Sequence, residues 1–155
     1  MRLSYYVCCF LITLFFFIPT NLKAQSKMPF VPDNFEVPIK LETNEYRLRM
    51  LSINDVDMDY EAVMSSTNHL NKVWPDSNWP KGLTLEQNLI DLGWHQKEFQ
   101  RRTSFAYTMV TLDEKKVIGC VYFYPTSKPG YDAEVFMWVR ENELKTGLDS
   151  RLFET

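Results

Sequence analysis

At about residue 103 the hydrophobic pattern of this chain changes period, and that change limits the fold more than any other feature. Before it, Thr84 opens an amphipathic segment that runs to about Arg102. Leu85, Leu89, Leu92, Gln96 and Phe99 share one face of it, while Glu86, Asp91, Lys97 and Arg101 occupy the others. Thr84 and Gln87 stand three residues apart, the spacing of a capping box, and mark the helix start. After the change come three strand-length runs, residues 105–112, 117–124 and 132–139. They are separated by Asp113-Glu114-Lys115-Lys116 and by the turn-forming stretch 125–130. In the last run Val135, Met137 and Val139 fall on one face, and Glu134, Phe136 and Trp138 on the other.

Upstream, residues 46–51 read as a first strand. Asn54 is placed to cap a helix, with Ile53 and Met58 as its hydrophobic staple and Val56, Tyr60, Val63 and Met64 at helical spacing. A loop with Trp74-Pro75 and Trp79-Pro80 follows. Beyond Arg140 lies a polar connection, then residues 147–153 begin a helix, and the chain stops at Thr155 inside it. The order strand, helix, helix, strand, strand, strand, helix predicts an α/β domain on a mixed sheet rather than a doubly wound parallel one.

The 155 residues leave room for one domain. Residues 1–25 have the pattern of a signal peptide: Arg2, then an uncharged apolar stretch from Tyr6 to Ile18, a break at Pro19-Thr20-Asn21, and Ala24 before Gln25. The stretch is short for a membrane span. An uncleaved anchor and a translation start at Met28 stay open beside it. The protein is therefore expected outside the cytoplasm if the leader is used, and in the cytoplasm if synthesis begins at Met28. Residues 26–45, punctuated by Pro29, Pro32 and Pro38, read as an extended approach to a domain at 46–155.

A net charge of −3 excludes the basic footprint of a nucleic-acid binder. No membrane contact beyond the leader is expected. Cys8 and Cys9 lie in the leader, so Cys120 is the one cysteine of the domain. In the apolar run Val117-Ile118-Gly119-Cys120-Val121 it reads as a buried structural thiol. His69 and His95 lack metal-ligand spacing, so no metal site is expected.

The element order, together with residues 46–52, 83–102, 104–110, 118–124 and 129–139 and Gly147-Leu148-Asp149, resembles the first part of the GNAT superfamily, the GCN5-related N-acetyltransferases. The likeness covers roughly residues 30–155. It implies a GNAT-like fold of which the chain holds the N-terminal part. It also implies acetyl transfer from acetyl-CoA directly to an amine acceptor, a small molecule or a peptide. By the resemblance, Met137, Trp138 and Val139 supply the backbone of the cofactor strand, and Lys145, Thr146, Gly147 and Leu148 meet the pyrophosphate. Glu134 is then the candidate general base. The family's loop carries spaced glycines, of which only Gly147 stands here, with Leu144, Lys145 and Asp149 at the other positions.

Trp74, Trp79 and Trp94 are candidates to line an acceptor pocket or to anchor loops, and Arg101-Arg102 to meet an acidic acceptor or to close a helix. The leader and the glycine-poor loop also support a second reading. In it the chain is a truncated, exported, non-catalytic relative that needs a partner, with oligomers forming through an open sheet edge.

Overall fold

The computed structural model describes residues 29–155. The leader expected at residues 1–25 lies outside them. Five strands form one antiparallel sheet in the order β1-β2-β3-β4-β5: Lys40–Glu42, Tyr46–Met50, Phe105–Thr111, Val117–Tyr124 and Glu134–Val139. Between β2 and β3 run α1 (Val56–Met64), α2 (Thr67–Val73) and α3 (Leu85–Gln100), and after β5 comes α4 (Leu148–Glu154). The α/β architecture expected from the sequence is present, with β1 and α2 added. The sheet expected as mixed is antiparallel at every pair, and short turns make it so from β1 to β2 and from β3 to β4 to β5.

Both additions have simple causes. β1 is three residues long, polar and exposed, so it carries no alternation to read. Its pairing is set by the turn, where Thr43 Oγ1 accepts from the backbone N–H of Glu45 and Tyr46, both at 3.1 Å. α2 buries only Leu70, too little for a helical stripe. The approach segment is also tied down. The Arg102 guanidinium donates to Pro32 O and Phe35 O, both at 2.7 Å, and Tyr107 OH donates to Pro38 O at 2.7 Å. Arg102 therefore holds chain, not an acceptor.

The helix starts show one agreement and one correction. Thr84 and Gln87 make the capping box, each side chain accepting from the other's backbone N–H at 3.2 Å. Upstream the cap is Ser52, not Asn54. Its side chain accepts from Asn54 N–H and starts a 3-10 turn at Ile53–Asp55 that leads into α1. Leu85 and Leu89 were expected on the inner face of α3, but they are exposed; the buried side chains are Asn88, Leu92 and Phe99.

The sheet has a core on each face. Leu51, Ala62, Val63, Leu70 and Leu92 pack with Ala106, Val110, Val117, Cys120 and Trp138 under α1–α3. Leu148 and Leu152 of α4 pack on the other face with Tyr46, Met109, Ile118, Val121 and Val139. β4 serves both by alternation, and its register slips between Met109, opposite Gly119, and Val110, opposite Val117. The slip lets Val117 and Cys120, three residues apart, share one core and Ile118 and Val121 the other. Cys120 is fully buried, as expected, and a free thiol among the described residues, and burial pushes that thiol far up from the usual range.

Arg140 fixes the end of β5. Its side chain is buried, with both terminal nitrogens on the Glu61 carboxylate of α1 and Nε donating to Val117 O. Arg140→Met is expected to cost about 1.5–3 kcal/mol, the range for hydrogen bonds to a charged group, read as a lower urea midpoint at unchanged slope. The Arg140 hydrogen bond holds Glu61 below the usual carboxylate range. A depressed folded value means the pair supports the fold above the unfolded carboxylate value, near pH 4.3, and fades as pH falls through the folded one. In Arg140→Met that acid sensitivity should shrink.

Candidate active site

α1, α3, the α2–α3 loop and the β4–β5 end of the sheet enclose a cavity of about 500 Å³. Its α3 wall follows from helical spacing: Asn88, Asp91, Leu92 and His95 recur at one stripe, with Trp94 at the margin. Trp74 and Trp79 come from the loop, their rings edge to face at 5.3 Å. Tyr60 OH holds that loop by donating to Leu83 O at 3.2 Å. The floor is Tyr122 and Tyr124 of β4 with Phe136 of β5. The three tryptophans singled out in the sequence thus do line one cavity, and Trp94, 56% exposed, stands at its rim.

The cavity holds a titratable group that sequence reasoning missed. Asp59 of α1 is 4% exposed and accepts one hydrogen bond, from Asn88 Nδ2 at 2.9 Å. Burial raises its carboxyl to about 6, against the pull of Asn88 and helped by the nearby Asp55 and Asp91. On the same cavity, burial pushes the His95 imidazole down and keeps it neutral more readily. His95 Nδ1 is buried without a hydrogen-bond partner among the described residues, and its ring lies 5.2 Å from that of Tyr122. Tyr122 OH accepts from Trp138 Nε1 at 3.4 Å, and burial raises the Tyr124 hydroxyl to about 12. Among the described residues no Lys or Arg lines the cavity. A carboxyl near 6 in an apolar pocket matches the tuning of a proton acceptor at neutral pH.

The expected site residues are distributed along β5 and the turn after it. Glu134 opens β5 opposite Tyr124, on the face of Phe136, but it is exposed and does not line the cavity. Arg140 N–H donates to Ile118 O at 2.9 Å, and register pairs Trp138 with Cys120. Alternation along an antiparallel strand then turns the backbone of Trp138 toward β4 and that of Val135, Met137 and Val139 toward the open edge. Of the three residues expected on the cofactor strand, Met137 and Val139 present free-edge groups. Trp138 instead buries its side chain in the helix-side core.

Lys145 and Thr146 lie exposed on a 3-10 turn, Glu141–Thr146. The Thr146 hydroxyl is used locally, donating to Glu143 O at 2.7 Å. Gly147 has φ 72°, the left-handed conformation that joins this turn to α4. Leu148 is buried against the sheet, so only its backbone is available to a ligand.

No family model matches the sequence, and no curated protein matches it. Solved structures do. The ribosomal-protein-S5-alanine acetyltransferase from Vibrio fischeri superposes with a TM-score of 0.60 at 17% identity, over 74% of this chain and 62% of that protein. The ribosomal L7/L12 alpha-N-protein acetyltransferase RimL, in complex with coenzyme A, gives 0.54 at 19% identity, over 74% and 60%. The chain has the fold of the GNAT acetyltransferases. A third relative is the microcin C7 self-immunity acetyltransferase MccE, in complex with acetyl-CoA and AMP. It matches with a TM-score of 0.53 at 14% identity, over 76% of this chain and 66% of that one. The GNAT fold seen here thus spans under two thirds of the length of these structures.

Proposed function

We propose that this chain transfers an acetyl group from acetyl-CoA to an amine. The observation that carries the reading is the cavity with Asp59 next to the open-edge strand of a GNAT fold, and the coenzymes bound by RimL and MccE support it. Acetyl-CoA, when bound, supplies the activated acetyl group. The outward N–H and C=O groups of Val135, Met137 and Val139 cover about 13 Å of edge at strand rise and suit an extended amide-bearing arm. Lys145 and the backbone at Gly147 and Leu148 stand at the far end of β5, where an anion is best met. The single glycine and the neighbouring Asp149 make this end a weak anion site, so the strand carries most of the binding.

The aromatic walls hold the acceptor and exclude water. Asp59 takes the proton that the amine must lose, since it lies inside the cavity and Glu134 lies outside it. On this reading Glu134→Gln lowers kcat less than about tenfold, well short of the 10²–10⁴ carried by a general base. A hundredfold loss would return the role to Glu134. Free thiol release from acetyl-CoA in the presence of primary amines is the assay; a folded protein that releases none would refute the reading. Acetyl-CoA is a cytoplasmic metabolite, so the proposal goes with translation from Met28, which N-terminal sequencing of the natural protein would check.

A further inference from the structure

We infer that the cavity selects a small organic cation: a primary ammonium on an apolar, aromatic-compatible body, with no carboxylate or phosphate of its own. The inference rests on the transfer reading for its role as acceptor, but its physical basis is the lining. Asp59 sits at the buried end and Asp91 at an exposed one, and among the described residues no Lys or Arg lines the cavity; Arg140, whose charge reaches Asp59, is paired with Glu61. His95, the one lining group able to become cationic, is biased toward neutrality by its burial. An ammonium entering the cavity therefore meets two lining carboxylates and no cation among the described lining residues, whereas an anion meets two like charges in a partly desolvated space.

The rings point the same way. Trp74, Trp79 and Trp94 line the cavity, with Trp94 at its rim, and indole faces attract cations through their quadrupole. Trp94 already carries one: Lys97 Nζ stands 4.2 Å from its ring centroid. Asp59 accepts only the Asn88 hydrogen bond among the described residues, and an ionised carboxylate has capacity for several more. A volume of about 500 Å³ suits a small molecule rather than a folded partner. Charge, ring chemistry and size converge on one class.

The test is titration of the full chain at pH 8, followed by tryptophan fluorescence, with three probes of one shape: phenethylammonium, 2-phenylethanol and 3-phenylpropionate. The ammonium should bind at least tenfold more tightly than the alcohol, and the carboxylate more weakly than both. Asp59→Asn should bring ammonium and alcohol within about threefold of each other. Asp91→Asn, at an exposed position that threatens the fold less, should reduce the preference by a smaller factor. Equal or tighter binding of the alcohol or carboxylate would overturn the inference, as would a preference unchanged in both variants. So would tight binding confined to a peptide with a free N-terminus. Acetyl-CoA titrated into the same samples separates the two readings. Cation preference without acetyl-CoA binding keeps the cavity's selectivity and removes its role in transfer; acetyl-CoA binding without cation preference does the reverse.

Discussion

Asp59→Asn is expected to stabilise the protein by about 2 kcal/mol at pH 8 while lowering acetyl transfer at least about a hundredfold. The sign follows from the carboxyl's elevation to about 6 in the folded chain, against about 3.9 when unfolded. A raised folded value means that the protonated form is the one the fold prefers. Its contribution is fully present below the unfolded value and is lost as pH rises through 6. Above that, folding keeps an ionised carboxylate where it is 4% exposed with one hydrogen bond. The amide keeps an oxygen for Asn88 Nδ2 and carries no charge. Urea unfolding of both proteins at pH 4, 6 and 8 checks this: the variant's advantage should grow across that window and level off above it. A variant less stable than the parent at pH 8 would mean that the carboxylate is satisfied where it sits. A stabilising loss of function is what a residue kept for chemistry should show.

Gly119→Ala is expected to cost about 3 kcal/mol or more, for a geometric reason. A Cβ at this position would stand 2.4 Å from Trp138 O and 3.2 Å from both Val139 Cα and Met109 Sδ. The first contact is backbone, which cannot turn aside as a flexible side chain can, so β5 has to move away from β4. The loss should appear as a lower urea midpoint. Because the displaced strand is the one proposed to hold acetyl-CoA, affinity for it should fall in the molecules that stay folded. Stability within 0.5 kcal/mol of the parent would show a looser β4–β5 pair than the geometry describes.

Much of the scaffold was legible because its signals are local. The Thr84–Gln87 box marks a helix start by spacing alone, and the alternation of residues 134–139 sorts Trp138 and Val139 correctly into opposite cores. The strand β1 and helix α2 left no trace, since neither buries enough side chain to set a period. Leu85 and Leu89 show how periodicity overreaches. They match the template, yet the inward stripe is anchored on polar Asn88, whose partner Asp59 lies 29 residues away in sequence.

The site was legible only in part for the same reason. Trp74, Trp79 and Trp94 could be noticed as aromatic residues near prolines or on a helix, but only folding brings them to one cavity. Asp59 reads in the sequence as one more acidic residue among Asp55, Asp57 and Glu61. Its burial depends on how α1 lies against α3, which the run of acidic neighbours does not reveal. The spacing that could have flagged it is Asp55, Asp59, Ala62 and Val63, a helical stripe mixing carboxylates with small apolar residues.

The most direct measurement of the central claim is calorimetric titration of acetyl-CoA into the full chain, with circular dichroism confirming the fold. Saturable binding of one equivalent is expected, weakened in Gly119→Ala and little changed in Asp59→Asn, because the strand edge holds the coenzyme and the cavity holds the acceptor. A folded protein that takes up no acetyl-CoA would contradict it.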